Sequence, residues 1–186
     1  MNVKEARELA QKSMSKNRFQ HTLGVVEMAR KLAGLNAIEL EKTLLAAYLH
    51  DLAKEVPLER QVELAREWGL LKYPEDETAP YVLHGPLAAY WLEKEKGLSP
   101  EIGAAIAHHT LGVPGMSRLE MLIYSADLVE PNRDFPEVDK LREALYDDLE
   151  KGTLACMEHT LNYLKQTKQI IHPLTLITYE DLKRRI

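Results

Sequence analysis

The chain has 186 residues, with 24 basic and 29 acidic side chains and a formal net charge of -5. That is the size of one domain with its own core, and its mild acidity gives no electrostatic case for wrapping nucleic acid or coating an anionic membrane. The single cysteine, Cys156, excludes an internal disulfide and any cysteine-based zinc site. It fits a reducing cytoplasm, the expected location. Met1 to Lys12 holds no apolar stretch of signal-peptide length. No segment approaches the roughly 20 apolar residues of a membrane span.

In chain order the pattern is helical, without strand-like alternation or hairpin turn signals. An amphipathic helix is predicted over 3–14, with Val3, Ala6, Leu9 and Ala10 on one side. Ser15 or Asn17 caps a second helix running to about Gly34, whose stripe Val25, Met28, Leu32 projects back onto His21. Asn36 is expected to cap a third helix whose run Leu40, Leu44, Ala47 leads to His50-Asp51. Pro57 opens a fourth helix ending near Trp68-Gly69. Lys72 to Pro80 reads as a surface loop with a solvated acidic cluster.

Helical signal returns from His84 to Lys96, with Gly97 as the stop. Ser99-Pro100 starts a helix ending at His108-His109. After a turn-rich link, Ser117 caps a helix carrying Leu119, Ile123 and Asp127. A loop from Glu130 to Pro136 precedes helices over about 137–147 and 149–168, then a terminal helix after an extended TLIT segment. Without repeats or a linker, the expectation is one all-α domain, 1–186, of about nine or ten helices.

Several titratable residues stand where the helical pattern calls for apolar ones. His21 extends Val25, Met28, Leu32; Asp51 extends Leu40, Leu44, Ala47; His109 extends Ile102, Ala105, Ile106; Asp127 extends Leu119, Ile123. A lone histidine on an apolar face is usually a core residue with one hydrogen-bond partner. A lone buried carboxylate is costlier and needs a cation, a metal or several donors. Taken together, the set can converge at one centre in a helical bundle. Nitrogen and oxygen ligands without thiolate suit iron, manganese, magnesium or zinc. Adjacent helical residues such as His50 and Asp51 point about 100° apart, so one can serve one ion while its neighbour turns to a second.

The order His21, His50-Asp51, Asp127 resembles the H…HD…D signature of the HD-domain metal-dependent phosphohydrolases, with His84 and His109 matching the added ligands of the two-metal subgroup. HDLAKE, LHGPLAAYW, HHTLG, MLIYSADLVEPNRDFP and HTLNYL look like the YqeK family, over about residues 15–170. Its members are bacterial HD-domain proteins that hydrolyse diadenosine tetraphosphate symmetrically to two ADP. One departure is the string His109-Thr110-Leu111-Gly112, where the family usually has His-Thr-Thr-Gly. His108 is an alternative ligand; His109 is preferred because it precedes the threonine.

The resemblance implies an HD-domain helical bundle. His21, His50, Asp51 and Asp127 would hold one metal ion and Asp51, His84 and His109 the other, iron first and manganese, magnesium or zinc as alternatives. It implies a metal-bridging hydroxide as nucleophile. Lys54, three residues after Asp51, is a candidate catalytic and phosphate-binding residue, with a helix-end lysine as the plain alternative. Arg18 and Arg133 are further phosphate candidates, and His84 faces the substrate as well as a metal. Glu130 and Asp134 read as local ion-pair or capping groups, His159 and His172 as ordinary residues, and Trp68 and Trp91 as core.

The alternatives to a tetraphosphatase are the same chemistry on a nucleoside di- or triphosphate or a cyclic dinucleotide, or a nucleotide-binding sensor with little turnover. The expected partners are a nucleotide substrate and a second copy of the chain. The dimer rests on the apolar residues Leu154, Leu161 and Leu164 of a late helix and on the family's tendency. Light scattering at micromolar concentration checks it: a dimer mass is expected, and a monomer removes the claim.

Overall fold

The computed structural model describes residues 1–186 and contains helices but no strands. The α-helices are α1 (Val3–Ser13), α2 (Lys16–Asn36), α3 (Leu40–Leu49), α4 (Leu58–Glu67), α5 (Glu75–Thr78), α6 (His84–Lys96), α7 (Pro100–His108), α8 (Arg118–Val129), α9 (Val138–Asp147), α10 (Leu149–Gln166) and α11 (Pro173–Arg185). A 3₁₀ turn, Pro80–Val82, precedes α6. No helix is long and apolar enough to cross a membrane.

Local chemistry sets most boundaries. Asn2 with Glu5, and Ser117 with Glu120, form reciprocal capping boxes at the starts of α1 and α8. Ser15 and Asp148 accept backbone N–H groups at the starts of α2 and α10. Gly97 ends α6 at φ 63°, a left-handed conformation that a side chain would strain. α2 packs on α3 and α8, α6 on α7, and α10 on α8 and α9. One continuous apolar core extends from Ala6 to Leu182 and includes Leu32, Leu49, Ile106, Leu122, Ile123 and Met157.

Several expectations about local structure change. Asn36 does not cap α3: α2 continues through it, its amide donates to Leu32 O at 3.0 Å, and the chain turns at Ala37 with φ 52°. The cap position of α3 is Glu39. The TLIT segment is helical inside α11, because Pro173 at its first turn sets a helical φ and Thr175 and Thr178 are buried. The stripe behind the dimer expectation is largely taken up by the protein itself: Leu161 is buried, and Leu154 and Leu164 are half-buried.

The acidic stretch after Lys72 is not all solvated loop. It holds α5, and Asp76 is buried. Asp76 Oδ2 accepts the backbone N–H groups of Lys72 and Tyr73 at 2.7 and 2.9 Å. Its Oδ1 lies 3.1 Å from His172 Nε2. His172 is therefore no ordinary loop residue. Its Nδ1 accepts the Leu174 N–H at 3.1 Å and caps α11, which leaves Nε2 to donate to Asp76. Replacing His172 with Ala removes a cap and strands a buried carboxylate, a cost of about 3 kcal/mol. A melting temperature lower by about 6–12 °C is expected by calorimetry.

Candidate metal centre

Three of the candidate histidines sit at helix ends. His50 and His109 are the C-cap residues of α3 and α7, and His84 is the first residue of α6. At each, Nδ1 donates to the carbonyl three residues earlier: His50 to Ala47 O at 2.8 Å, His84 to Tyr81 O at 2.8 Å, His109 to Ile106 O at 2.7 Å. Carbonyls at a helix's C-terminal end lack intrahelical partners, so His50 and His109 find an acceptor in their own last turn, and His84 finds one in the 3₁₀ turn that precedes α6. The bond holds a proton on Nδ1 and turns Nε2 inward. His21 lies inside α2, and its Nδ1 instead meets Glu130 Oε1 at 3.2 Å.

The inward nitrogens surround Asp51, which is 3% exposed although it carries a carboxylate. Oδ1 lies 3.2 Å from His84 Nε2 and 3.7 Å from His109 Nε2. Oδ2 lies 3.4 Å from His50 Nε2 and 3.8 Å from His21 Nε2. One carboxylate thus faces both histidine pairs, one oxygen to each. Asp127 Oδ1 completes the first pair, 2.9 Å from His21 Nε2 and 3.9 Å from His50 Nε2.

These residues fit a metal. The Nε2 atoms of His21 and His50 are buried without a hydrogen-bond partner. His84 Nε2 and His109 Nε2 stand 3.0 Å apart, so two lone pairs meet unless a cation or proton lies between them. Ligand atoms of His21, His50 and Asp127 lie within 4.8 Å of one another, as do those of His50, Asp51 and His109. Close helix approach makes the second cluster possible. A Cβ on Gly85 would come within 2.8 Å of Ile106 O and 3.0 Å of Ala107 O, so the start of α6 meets the end of α7 only because residue 85 is glycine.

Burial and charge pull the ionisable groups apart. Burial, with the neighbouring His84 and His50, pushes His109 down to about 3. Burial also opposes charge on His50, but the attraction of Asp51 and then Asp127 outweighs it and raises His50 to about 8. Burial likewise opposes charge on Asp51 and Asp127. His50 outweighs it at Asp51 and the His21 contact outweighs it at Asp127, so both carboxyls stay below the usual range. Burial lowers the Lys54 ammonium.

The predicted cations reach the centre by different routes. Arg18 Nη1 binds Asp51 Oδ2 at 2.9 Å, and Lys54 Nζ lies 3.4 Å from His84 Nε2. Arg133 stands at the exposed rim, 3.6 Å from Asp127 Oδ1. The two adjacent histidines part: His109 turns inward, while His108 Nδ1 contacts Glu120 Oε1 at 2.6 Å. His159 stacks on Phe135, away from the centre, and His172 belongs to the Asp76 cluster. Trp68 stacks on Tyr90, and Trp68 and Trp91 line an apolar groove of about 260 Å³.

Two polar groups beyond the expected ligands and cations reach the centre. Thr110 Oγ1 lies 3.2 Å from His109 Nε2 and 3.4 Å from His84 Nε2. Its signal was its place directly after His109. Glu130 was assigned a local role, yet it is 2% exposed and contacts His21 across 109 residues. Its signal was its position three residues after Asp127, on the same helical side.

The HD domain family matches residues 18–132, a span that starts at Arg18 and includes every candidate ligand. The chain belongs to the HD domain family. It is 38% identical over 186 residues to the "Bis(5'-nucleosyl)-tetraphosphatase, symmetrical" of Halalkalibacterium halodurans, covering 98% of this chain and 97% of that protein. The Bacillus subtilis protein of the same name is 35% identical, with 98% of each chain covered. A crystal structure from Clostridium acetobutylicum, described as a "predicted HD superfamily hydrolase involved in NAD metabolism", superposes with a TM-score of 0.93 at 33% identity, covering 98% of this chain and 97% of that one. HD domains are metal-dependent, and the clustered histidines and aspartates could bind metal.

In the metal-free protein the two perturbed histidines act on opposite sides of neutral pH. His109, held near 3, lets the unfolded chain bind the extra proton, so its contribution falls as pH drops from about 6.5 toward 3. His50, raised to about 8, contributes fully below about 6.5 and less as pH rises through 8. The melting temperature of chelator-treated protein should therefore fall on both sides of about pH 6.5. A flat profile between pH 4 and 9 would contradict this charge distribution.

Proposed function

We propose that the chain is a dinuclear metal hydrolase that cleaves diadenosine tetraphosphate symmetrically into two ADP. Similarity along the whole chain to proteins named as symmetrical tetraphosphatases carries the substrate assignment. The Asp51 geometry supports two ions, because each of its oxygens faces a separate histidine pair. In this reading His21, His50, Asp51 and Asp127 hold one ion, and Asp51, His84 and His109 the other. Iron is the first choice for the resident metal, with manganese, magnesium and zinc as alternatives. When bound, such ions neutralise phosphoryl charge and acidify a water.

The protein's own groups supply the rest. The four imidazoles arrive with Nδ1 engaged and Nε2 turned inward, so little rotation of the rings precedes ion binding. Arg18, Lys54 and Arg133 offset the negative charge of Asp51, Asp127 and Glu130. Once ions are present, those three cations are left in excess to receive an anionic tetraphosphate. Arg133, at the rim, can bind a phosphate through two donors. Lys54 and Thr110 stand beside the His84–His109 pair, where they can donate to phosphate oxygens. Water adds to one central phosphorus, the bridging P–O bond breaks, and the departing ADP takes the bridging oxygen.

A second reading keeps the chemistry and changes the nucleotide. It is favoured by the neighbour described as involved in NAD metabolism. Product analysis separates the readings. In ¹⁸O water, diadenosine tetraphosphate should yield ADP alone, with one label per two ADP. AMP with ATP as products, or faster turnover of another nucleotide, overturns the first reading.

Three variants test the roles of two ligands and one phosphate-binding cation. Asp51→Ala should abolish hydrolysis and release both ions. His84→Ala should abolish hydrolysis with one ion retained. Arg133→Ala should keep full metal content and lose about 10²- to 10³-fold in kcat/KM. Metal quantitation beside turnover reads all three, and an active His84→Ala protein with unchanged metal content refutes the two-ion arrangement.

A further inference from the structure

Glu130 differs from every other group around the centre: it is a buried carboxylate that faces no inward Nε2 nitrogen. Its Oε1 meets His21 Nδ1 at 3.2 Å. Its Oε2 accepts the backbone N–H and the side-chain amide of Asn132 at 2.7 and 3.0 Å. The need for it follows from where His21 sits. His50, His84 and His109 stand at helix ends and use a carbonyl of their own turn. His21 lies within α2, where backbone carbonyls are already engaged in the helix ladder. The Glu130 carboxylate accepts its Nδ1 proton instead.

The surroundings hold Glu130 at that task. Gly24, one turn after His21 on α2, leaves the space the carboxylate occupies. A Cβ there would collide with Glu130 Oε2 and stand 2.9 Å from Asn132 Nδ2. Arg142 donates to Val129 O, Glu130 O and Arg133 O at 2.9, 2.8 and 3.1 Å, which pins the backbone that presents the carboxylate. The geometry assigns Glu130 as the positioning residue for His21: it fixes the imidazole's tautomer and aim and acts on metal affinity through that ring. A carboxylate acceptor also makes the imidazole a stronger donor to metal. The assignment rests on His21 being a metal ligand.

Zinc, titrated into the full-length protein against a competing chelator, provides the test. Glu130→Ala should weaken zinc binding by about 10- to 100-fold. Glu130→Gln keeps an acceptor oxygen and should lose less. Asn132→Ala removes only the outer contact of Oε2 and should leave zinc affinity unchanged. Gly24→Ala should weaken zinc binding in the wild-type background and have little further effect on Glu130→Ala, because the displaced carboxylate is already gone. Long-range ¹H–¹⁵N spectra of zinc-loaded protein should show a hydrogen-bonded Nδ1–H on His21 in wild type and lose it in Glu130→Ala.

Unchanged affinity with a retained Nδ1–H signal in Glu130→Ala overturns the assignment. So does an equal loss in Asn132→Ala, which would make Glu130 a brace for its loop. Should Glu130→Ala not fold, Glu130→Gln and Gly24→Ala carry the same comparison. His21→Ala separates the two layers: full zinc affinity there removes the ligand reading itself, whereas reduced affinity there with none lost in Glu130→Ala removes only the positioning role.

Discussion

Everything at the centre depends on one constraint: each imidazole has its Nδ1 bound to an oxygen, so each Nε2 must face the same small volume. Three of those oxygens are backbone carbonyls three residues upstream, and the fourth is Glu130. Lone pairs directed at one another repel. The burden is visible in the 3.0 Å approach of His84 and His109 and in the unpartnered nitrogens of His21 and His50. A cation bound among these nitrogens would relieve that repulsion.

The scaffold meets the constraint by bringing helix ends together. The end of α3, the start of α6 and the end of α7 present their histidines around Asp51, while α2 and α8 add His21 and Asp127 from the side. Glycines set the closeness on both flanks. Gly85 admits the carbonyls of α7, and Gly24 admits the Glu130 carboxylate. The positive groups Arg18, Lys54 and Arg133 make the metal-free centre nearly neutral, which explains how buried carboxylates persist there. Bound cations would turn the same cleft positive toward a polyphosphate, although the chain as a whole carries a charge of -5.

The Asp76–His172 pair shows the same chemistry in another setting. There too a buried carboxylate meets an imidazole whose second nitrogen has a backbone partner. The backbone N–H of Leu174 donates to Nδ1, so Nε2 carries the proton and satisfies Asp76. No lone pair is left over. The tautomer, chosen by one backbone group, separates a cluster that closes on itself from a centre that calls for a cation.

The sequence determined what depends on neighbours along the chain. Helix periodicity placed His21, Asp51, His109 and Asp127 on inward faces. Ser15, Ser117 and Gly97 marked helix ends because capping involves only a few adjacent residues. The inward-facing histidines and aspartates pointed to a metal centre, and their order resembled that of the HD-domain phosphohydrolases. Tertiary structure alone decided what depends on helix crossings. It turned His109 inward and His108 toward Glu120, buried Asp76 against His172, and set Arg18 on Asp51. It also brought Glu130 to His21 over 109 residues. Periodicity tells which face of a helix is buried; which side chain waits opposite is fixed only when another helix packs against it.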